Sequence, residues 1–405
     1  MGGDVVALRA LTELQPAGGK GDKIFPPSYK TDDGAHHKYA VEDRVSSDGT
    51  QTTTILLDSV ASQANRAELA LLEGYDRGEI SFPVPYVDFT GCGDVTDYKK
   101  ITVLEAPHRL ADAIFRDSLL DGTLFRLSEV GRAITDSTPR NATSMFHYSP
   151  TSLLFGVWDA TGPKGGLGSK FQRAYVSEIV GFDTIVGKNV YSRIDPLQIE
   201  KVTSDDRVFN SSDPSEVWTH ALGNAKKDKN GKPEYANRGS GKGVAGQPSK
   251  INHGNIPPVI DSMAGGATIS KGLQTTLISL AALRRLRFGD VEYEVETAAR
   301  TAVAALGVAA IAYQCEMDYD LRSRCLLLPT HPPRLELLGR DGSVGETVNV
   351  SRDGAAKILA RAAAHATELG IGWETEAVRL TPAPKLLELI RRSRKVAAVE
   401  QTTEK

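Results

Sequence analysis

Cysteine is scarce: Cys92, Cys315 and Cys325 are the three in 405 residues. They form no C-x-x-C pair and no even-numbered framework, which argues against a disulfide scaffold or a cysteine zinc site and points to a reducing compartment. The most apolar run, Thr301–Tyr313, follows Arg300 and reads as too short to span a bilayer. The opening Met-Gly-Gly-Asp-Val-Val lacks a basic segment followed by an apolar one, and Val6 stands where a myristoylation signal needs Ser or Thr. A soluble, cytoplasmic protein is expected. Charge of one sign is not in excess either, since 48 Lys+Arg against 51 Asp+Glu give a formal net charge of -3. A uniformly basic polyanion binder is therefore excluded, and any such site must be a local groove.

Catalytic signatures are missing as well. The eight histidines are scattered, with no H-E-x-x-H or H-x-H spacing, and no G-x-S-x-G elbow occurs. Asp88, Asp94 and Asp97 lie close enough in sequence to share a loop and attract Mg²⁺, although the ordinary reading of such a loop is solvation. Charge and backbone amides without a proton-transfer pair describe a binder, so no catalytic residue, metal or cofactor is assigned.

What the chain does have is the stretch Leu153–Gly181, LLFGVWDATGPKGGLGSKFQRAYVSEIVG. Gly162, Gly165, Gly166 and Gly168 leave backbone N–H groups open to close approach, and Lys164, Lys170 and Arg173 add positive charge. The order Gly168-Ser169-Lys170 inverts that of a nucleotide P-loop, and the following Arg173–Val180 alternates like a strand instead of opening a helix. A polyanion held along its backbone fits this loop better than a nucleoside triphosphate.

Hydrophobic periodicity places strands at Val5–Leu11, Thr53–Leu57, Val84–Phe89, Lys100–Leu104, Cys325–Leu328 and Arg334–Leu338. It places helices at Ser59–Glu73, Pro107–Leu120, Leu273–Phe288, Val295–Glu316, Ala355–Leu369 and Pro384–Lys395. In the first helix Val60, Ala64, Ala67 and Leu71 make the buried face, and Ser59, Gln63 and Arg66 line another, beside Ser62 and Asn65. Polar groups thereby gather at the positive end of the macrodipole, which suits phosphate. Strands with interspersed helices in irregular order indicate an α+β class and one domain over residues 1–405 with insertions.

The segment 203–266 changes character, with few apolar residues and many Gly, Pro, Ser and Asn. Between Lys226 and Lys250 it carries seven basic residues and two acidic ones, a local charge of +5. This composition reads as an insertion that is disordered or ordered by a partner. Gly241, Gly243 and Gly246 satisfy G-x-G-x-x-G there, but neither a strand before nor a helix after supports a dinucleotide site.

Several segments resemble a known family in concert: Gly18–Pro27, Leu57–Arg66, Ala106–Ala113, Phe155–Gly168, Ile251–Pro258, Gln274 with Leu280–Phe288, and Tyr319–Cys325. In this order they resemble the backbone subunit of the type I-G (formerly I-U) CRISPR effector complex, a RAMP protein of the Cas-seven superfamily. The resemblance implies an RRM-like, ferredoxin-type palm with large insertions, of which 203–266 is the thumb candidate. It implies a CRISPR RNA-binding filament subunit, a helical homo-oligomer, that presents the guide for target DNA recognition beside other Cascade subunits, with cleavage left to a recruited helicase-nuclease. RNA contacts are then expected from Lys20, Lys23, Gln63, Asn65, Arg66, Lys164, Lys170, Gln172, Arg173, Asn252 and His253. The alternative is a RAMP subunit that cuts RNA with a metal through an acid such as Asp94 or Asp97. A Lys/Arg-Gly-Phe/Tyr-Gly/Ala-Phe motif of base-stacking RRMs is absent.

Overall fold

In a computed structural model of the chain, residues 3–30, 37–45, 48–162, 169–199, 207–213, 215–236, 246–261 and 265–403 are described. The chain divides into two units, Met1–Gly187 with Gly266–Leu386 and Lys188–Gly265 with Leu387–Lys405. The boundary at Lys188 lies ahead of the composition change at 203, because Asn189–Arg193 already pairs antiparallel with Ile256–Asp261 inside the second unit.

The first unit is organised by a nine-stranded sheet. Its main order is Tyr319–Asp320, Leu326–Pro329, Val5–Pro16, Lys271–Ser279, Tyr175–Phe182, Gln51–Asp58 and Val41–Val45, with Arg334–Gly339 pairing the opening strand and Val344–Val348. Every pairing in it is antiparallel. Alternation dictates the faces: in Lys271–Ser279 the residues Gly272, Gln274, Thr276 and Ile278 are buried and those between are half-buried or exposed. Beside that strand, Leu14, Ile55, Leu57 and Ile179 are fully buried in one cluster, each contributing about 1.5–3 kcal/mol from removal of apolar surface from water.

Helices Val60–Asp76 and Tyr293–Cys315 pack against each other. Ser59 caps the first, its hydroxyl accepting from the Ser62 N–H at 3.3 Å. Small residues bring the helices close: a Cβ on Gly74 would run into the Tyr313 ring. The alanine-rich helix is long and apolar enough to cross a membrane, but 83% of its apolar window is buried inside the protein, which makes it a core helix.

Two predicted helices are corrected. The first half of Leu273–Phe288 belongs to the sheet strand Lys271–Ser279, followed by the short helix Leu280–Leu283. Ladders on both sides satisfy its backbone, with Leu8 opposite Ile278 and Ile179 opposite Gln274. Pro107–Leu120 breaks into a turn, the helix Ala113–Arg116 and the strand Ser118–Leu120. Arg109 takes a positive φ of 53°, and the Asp112 carboxylate caps a new start by accepting from the Ile114 N–H at 2.9 Å.

Candidate functional site

Strand Gln51–Asp58 delivers Asp58 to the start of the first helix, where its carboxylate is buried and heavily engaged. Gln63 Nε2 donates to Oδ2 at 2.6 Å, Arg66 Nε to Oδ2 at 2.9 Å and Arg322 to Oδ1 at 3.3 Å. Arg66 and Arg322 are 32% and 28% exposed, so two guanidinium groups against one carboxylate leave a positive charge at the surface. Their remaining reach is braced from behind: Arg66 donates to the Leu321 carbonyl at 2.7 Å and Arg322 to that of Leu57 at 2.8 Å.

The expectation of a solvent-facing Gln63 is corrected, for this side chain is 1% exposed. Its Oε1 accepts from the Ser177 hydroxyl at 3.0 Å, Gln274 Nε2 at 2.8 Å and Gln314 Nε2 at 2.9 Å. The Tyr175 hydroxyl donates to Gln314 and that of Tyr319 to Gln274. The network ties the sheet to both long helices, and through Asp58 it positions Arg66 and Arg322. Asn65, by contrast, is exposed.

The loop after the opening strand meets the turn that carries Arg322 and Arg324. Lys20 is exposed and Lys23 is half-buried, its aliphatic stem against Gly266. Phe25 donates its backbone N–H to the Arg324 carbonyl at 2.9 Å, and the Arg324 guanidinium carbon stands 3.8 Å from the Phe25 ring centroid. Arg322 and Arg324 were not among the sequence-derived candidates.

A second basic region is a cleft of about 890 Å³. Lys170 reaches it from the strand Lys170–Phe171 and Gln172 and Arg173 from the link to Tyr175–Phe182, joined by Arg116, His108 and Arg285. No carboxylate lines it among the described residues. Asp117 accounts for Arg116 through a 2.6 Å contact, and the charge of Arg173 is felt by the buried Glu68 carboxylate, whereas among the described residues Lys170 and Arg285 form no ion pair with a carboxylate. Arg285 donates to Gln172 Oε1 at 3.4 Å. Behind the cleft, Arg109 forms a buried bidentate pair with Glu68 at 2.6 and 2.9 Å and donates to the Gly156 carbonyl at 3.0 Å. Burial pushes the Glu68 carboxyl up to about 7, with Arg109 pulling the other way. Gly156 needs its freedom, since its φ is +82° and a Cβ would meet the Arg173 and Phe171 backbones within 3.1 Å.

Lys164 and glycines 165, 166 and 168 lie outside the described residues. Asn252 and His253 belong to the second unit. Asn252 is exposed and takes a left-handed φ of 62°, and His253 Nδ1 stands 3.8 Å from the Asp195 carboxylate. In the acidic loop Asp88 is paired with Arg379 at 2.6 Å, and Asp94 and Asp97 are exposed. Among the described residues no three His, Cys, Asp or Glu side chains converge as a metal site.

Residues 8–186 match the family model of CRISPR-associated protein GSU0053. This match is to a CRISPR-associated protein family. It spans somewhat under half of the 405 residues and includes Arg66, Lys170, Gln172 and Arg173. No curated protein matches the sequence. A solved chain described as "CRISPR RNA-guided surveillance complex, pre-nicking" is similar at 11% identity and a TM-score of 0.32, covering 96% of this chain and 99% of that one. A likeness that weak carries no argument about the fold.

Proposed function

We propose that this chain is a CRISPR RNA-binding backbone subunit of a type I effector complex, of the I-G type. Copies stack along the guide through an RRM-like palm and present it for target DNA recognition in the cytoplasm. The observation that carries this reading is the cleft whose exposed cations, Lys170, Arg173 and Arg285, face no lining carboxylate, in a chain of net charge -3. Concentrating cations locally suits a ribose-phosphate chain, whose sequence is read by base pairing and not by the protein. The braced Arg66 and Arg322 offer a second set of donors, and the antiparallel sheet with its two packed helices supports the palm. Other Cascade subunits and a recruited helicase-nuclease complete the proposed assembly, in which this subunit binds without cutting.

The test is direct. Protein purified from cells carries RNA, seen in its ultraviolet absorbance ratio. Lys170→Glu and Arg285→Glu each weaken RNA binding alike for all sequences and flatten its salt dependence by about one unit of slope. Bound RNA stays intact with Mg²⁺. A sequence-selective loss or periodic cuts would remove this reading.

A further inference from the structure

The cleft holds more than charge. Its volume of about 890 Å³ falls in the range of roughly 300–1,000 Å³ in which proteins enclose small ligands. Leu153, Val157, Phe171 and Leu283 give it an apolar floor. At its side stands Trp158, 60% exposed, with Lys170 Nζ 5.1 Å from its ring centroid. Strand pairing sets Trp158 opposite Lys170 and the buried Val157 opposite Phe171.

An apolar floor, an exposed indole and three cations in a cleft that no carboxylate lines among the described residues match a ligand that is flat and aromatic at one end and anionic at the other. An acidic peptide would satisfy the cations and leave the indole in water. We propose that the cleft seats one nucleotide, its base against the Trp158 indole and its phosphate among Lys170, Arg173 and Arg285. The Gln172 amide at the rim offers a donor and an acceptor to the base edge. The proposal rests on the RNA-binding reading only for the source of the nucleotide, because a residue of bound RNA and a free nucleotide share this chemistry.

Tryptophan emission of the full chain, titrated with oligouridylate, oligoadenylate, AMP, UMP and inorganic phosphate, separates these sources. RNA is expected to quench the wild type and Trp218→Phe but not Trp158→Phe. In filter retention Trp158→Ala weakens RNA binding about 5- to 100-fold with an unchanged salt slope, and Trp158→Phe restores most of the affinity. Quenching by RNA alone assigns the cleft to a residue of the strand, and equal quenching by AMP and UMP assigns it to a free nucleotide. Quenching by AMP without any RNA retention keeps the cleft and ends the RNA reading. RNA retained with unchanged Trp158 emission and undiminished affinity in Trp158→Ala overturns the nucleotide seat and leaves the RNA reading standing. Inorganic phosphate competing with RNA while no probe alters Trp158 emission overturns it too.

Discussion

The buried pair of Arg109 and Glu68 holds the wall of the cleft, and its energetics are those of charges removed from water. Truncating one partner strands the other, a cost of about 3–5 kcal/mol when the survivor is ionised. Glu68 has its folded-state carboxyl raised by burial from 4.5 to about 7. An acid raised in the folded state favours folding most below its unfolded value, and that advantage is lost as pH rises through the folded one. Arg109→Leu is therefore expected to destabilise the protein more at pH 8 than at pH 5.5, where the orphaned carboxyl takes a proton; urea unfolding at the two pH values measures the difference. Equal losses at both would refute the assignment. At this scale the sequence disclosed Arg66, Lys170 and Arg173 through their place at a helix start and beside glycines. Gln63 was misplaced because it is polar, although it precedes Ala67 by four residues and so shares the buried side of the helix. Arg322 was missed because its partner Asp58 lies 264 residues away.

Among the elements, the alanine-rich helix packs closely on the first helix only because Gly74 has no side chain toward the Tyr313 ring. Gly74→Ala should cost about 1–3 kcal/mol through overpacking, despite its better helix propensity, and a lowered urea midpoint with unchanged m-value would show it. A midpoint that rises would mean that Tyr313 gives way freely. The two long helices were readable from periodicity and caps, within a few residues of their ends. Strand Lys271–Ser279 was not, because its buried face carries Gln274 and Thr276 for the polar network. Apolar residues then recur at 273, 277 and 280, a spacing that imitates a helix.

For the whole molecule, a net charge of -3 makes self-association along RNA a matter of matching local patches. Light scattering of RNA-loaded protein is expected to show mass rising in steps as the RNA is lengthened. A single protomer on every length of RNA would remove the filament from the proposal. Composition marks a change at 203 but not the second unit, which runs over Lys188–Gly265 with Leu387–Lys405 and whose pairing leaves little trace in hydrophobic pattern. Its described pairings include Asn189–Arg193 with Ile256–Asp261 and Phe209–Asn210 with Trp218–Thr219.

The position of the central strand in the gene has a cost during synthesis. Val5–Pro16 and Tyr175–Phe182 both pair with Lys271–Ser279, so the emerging polypeptide waits from Phe182 to Lys271 with two strands lacking their shared neighbour. At roughly 5–20 residues per second that interval is on the order of 10 s, during which unmet backbone donors and acceptors invite pairing with another nascent chain.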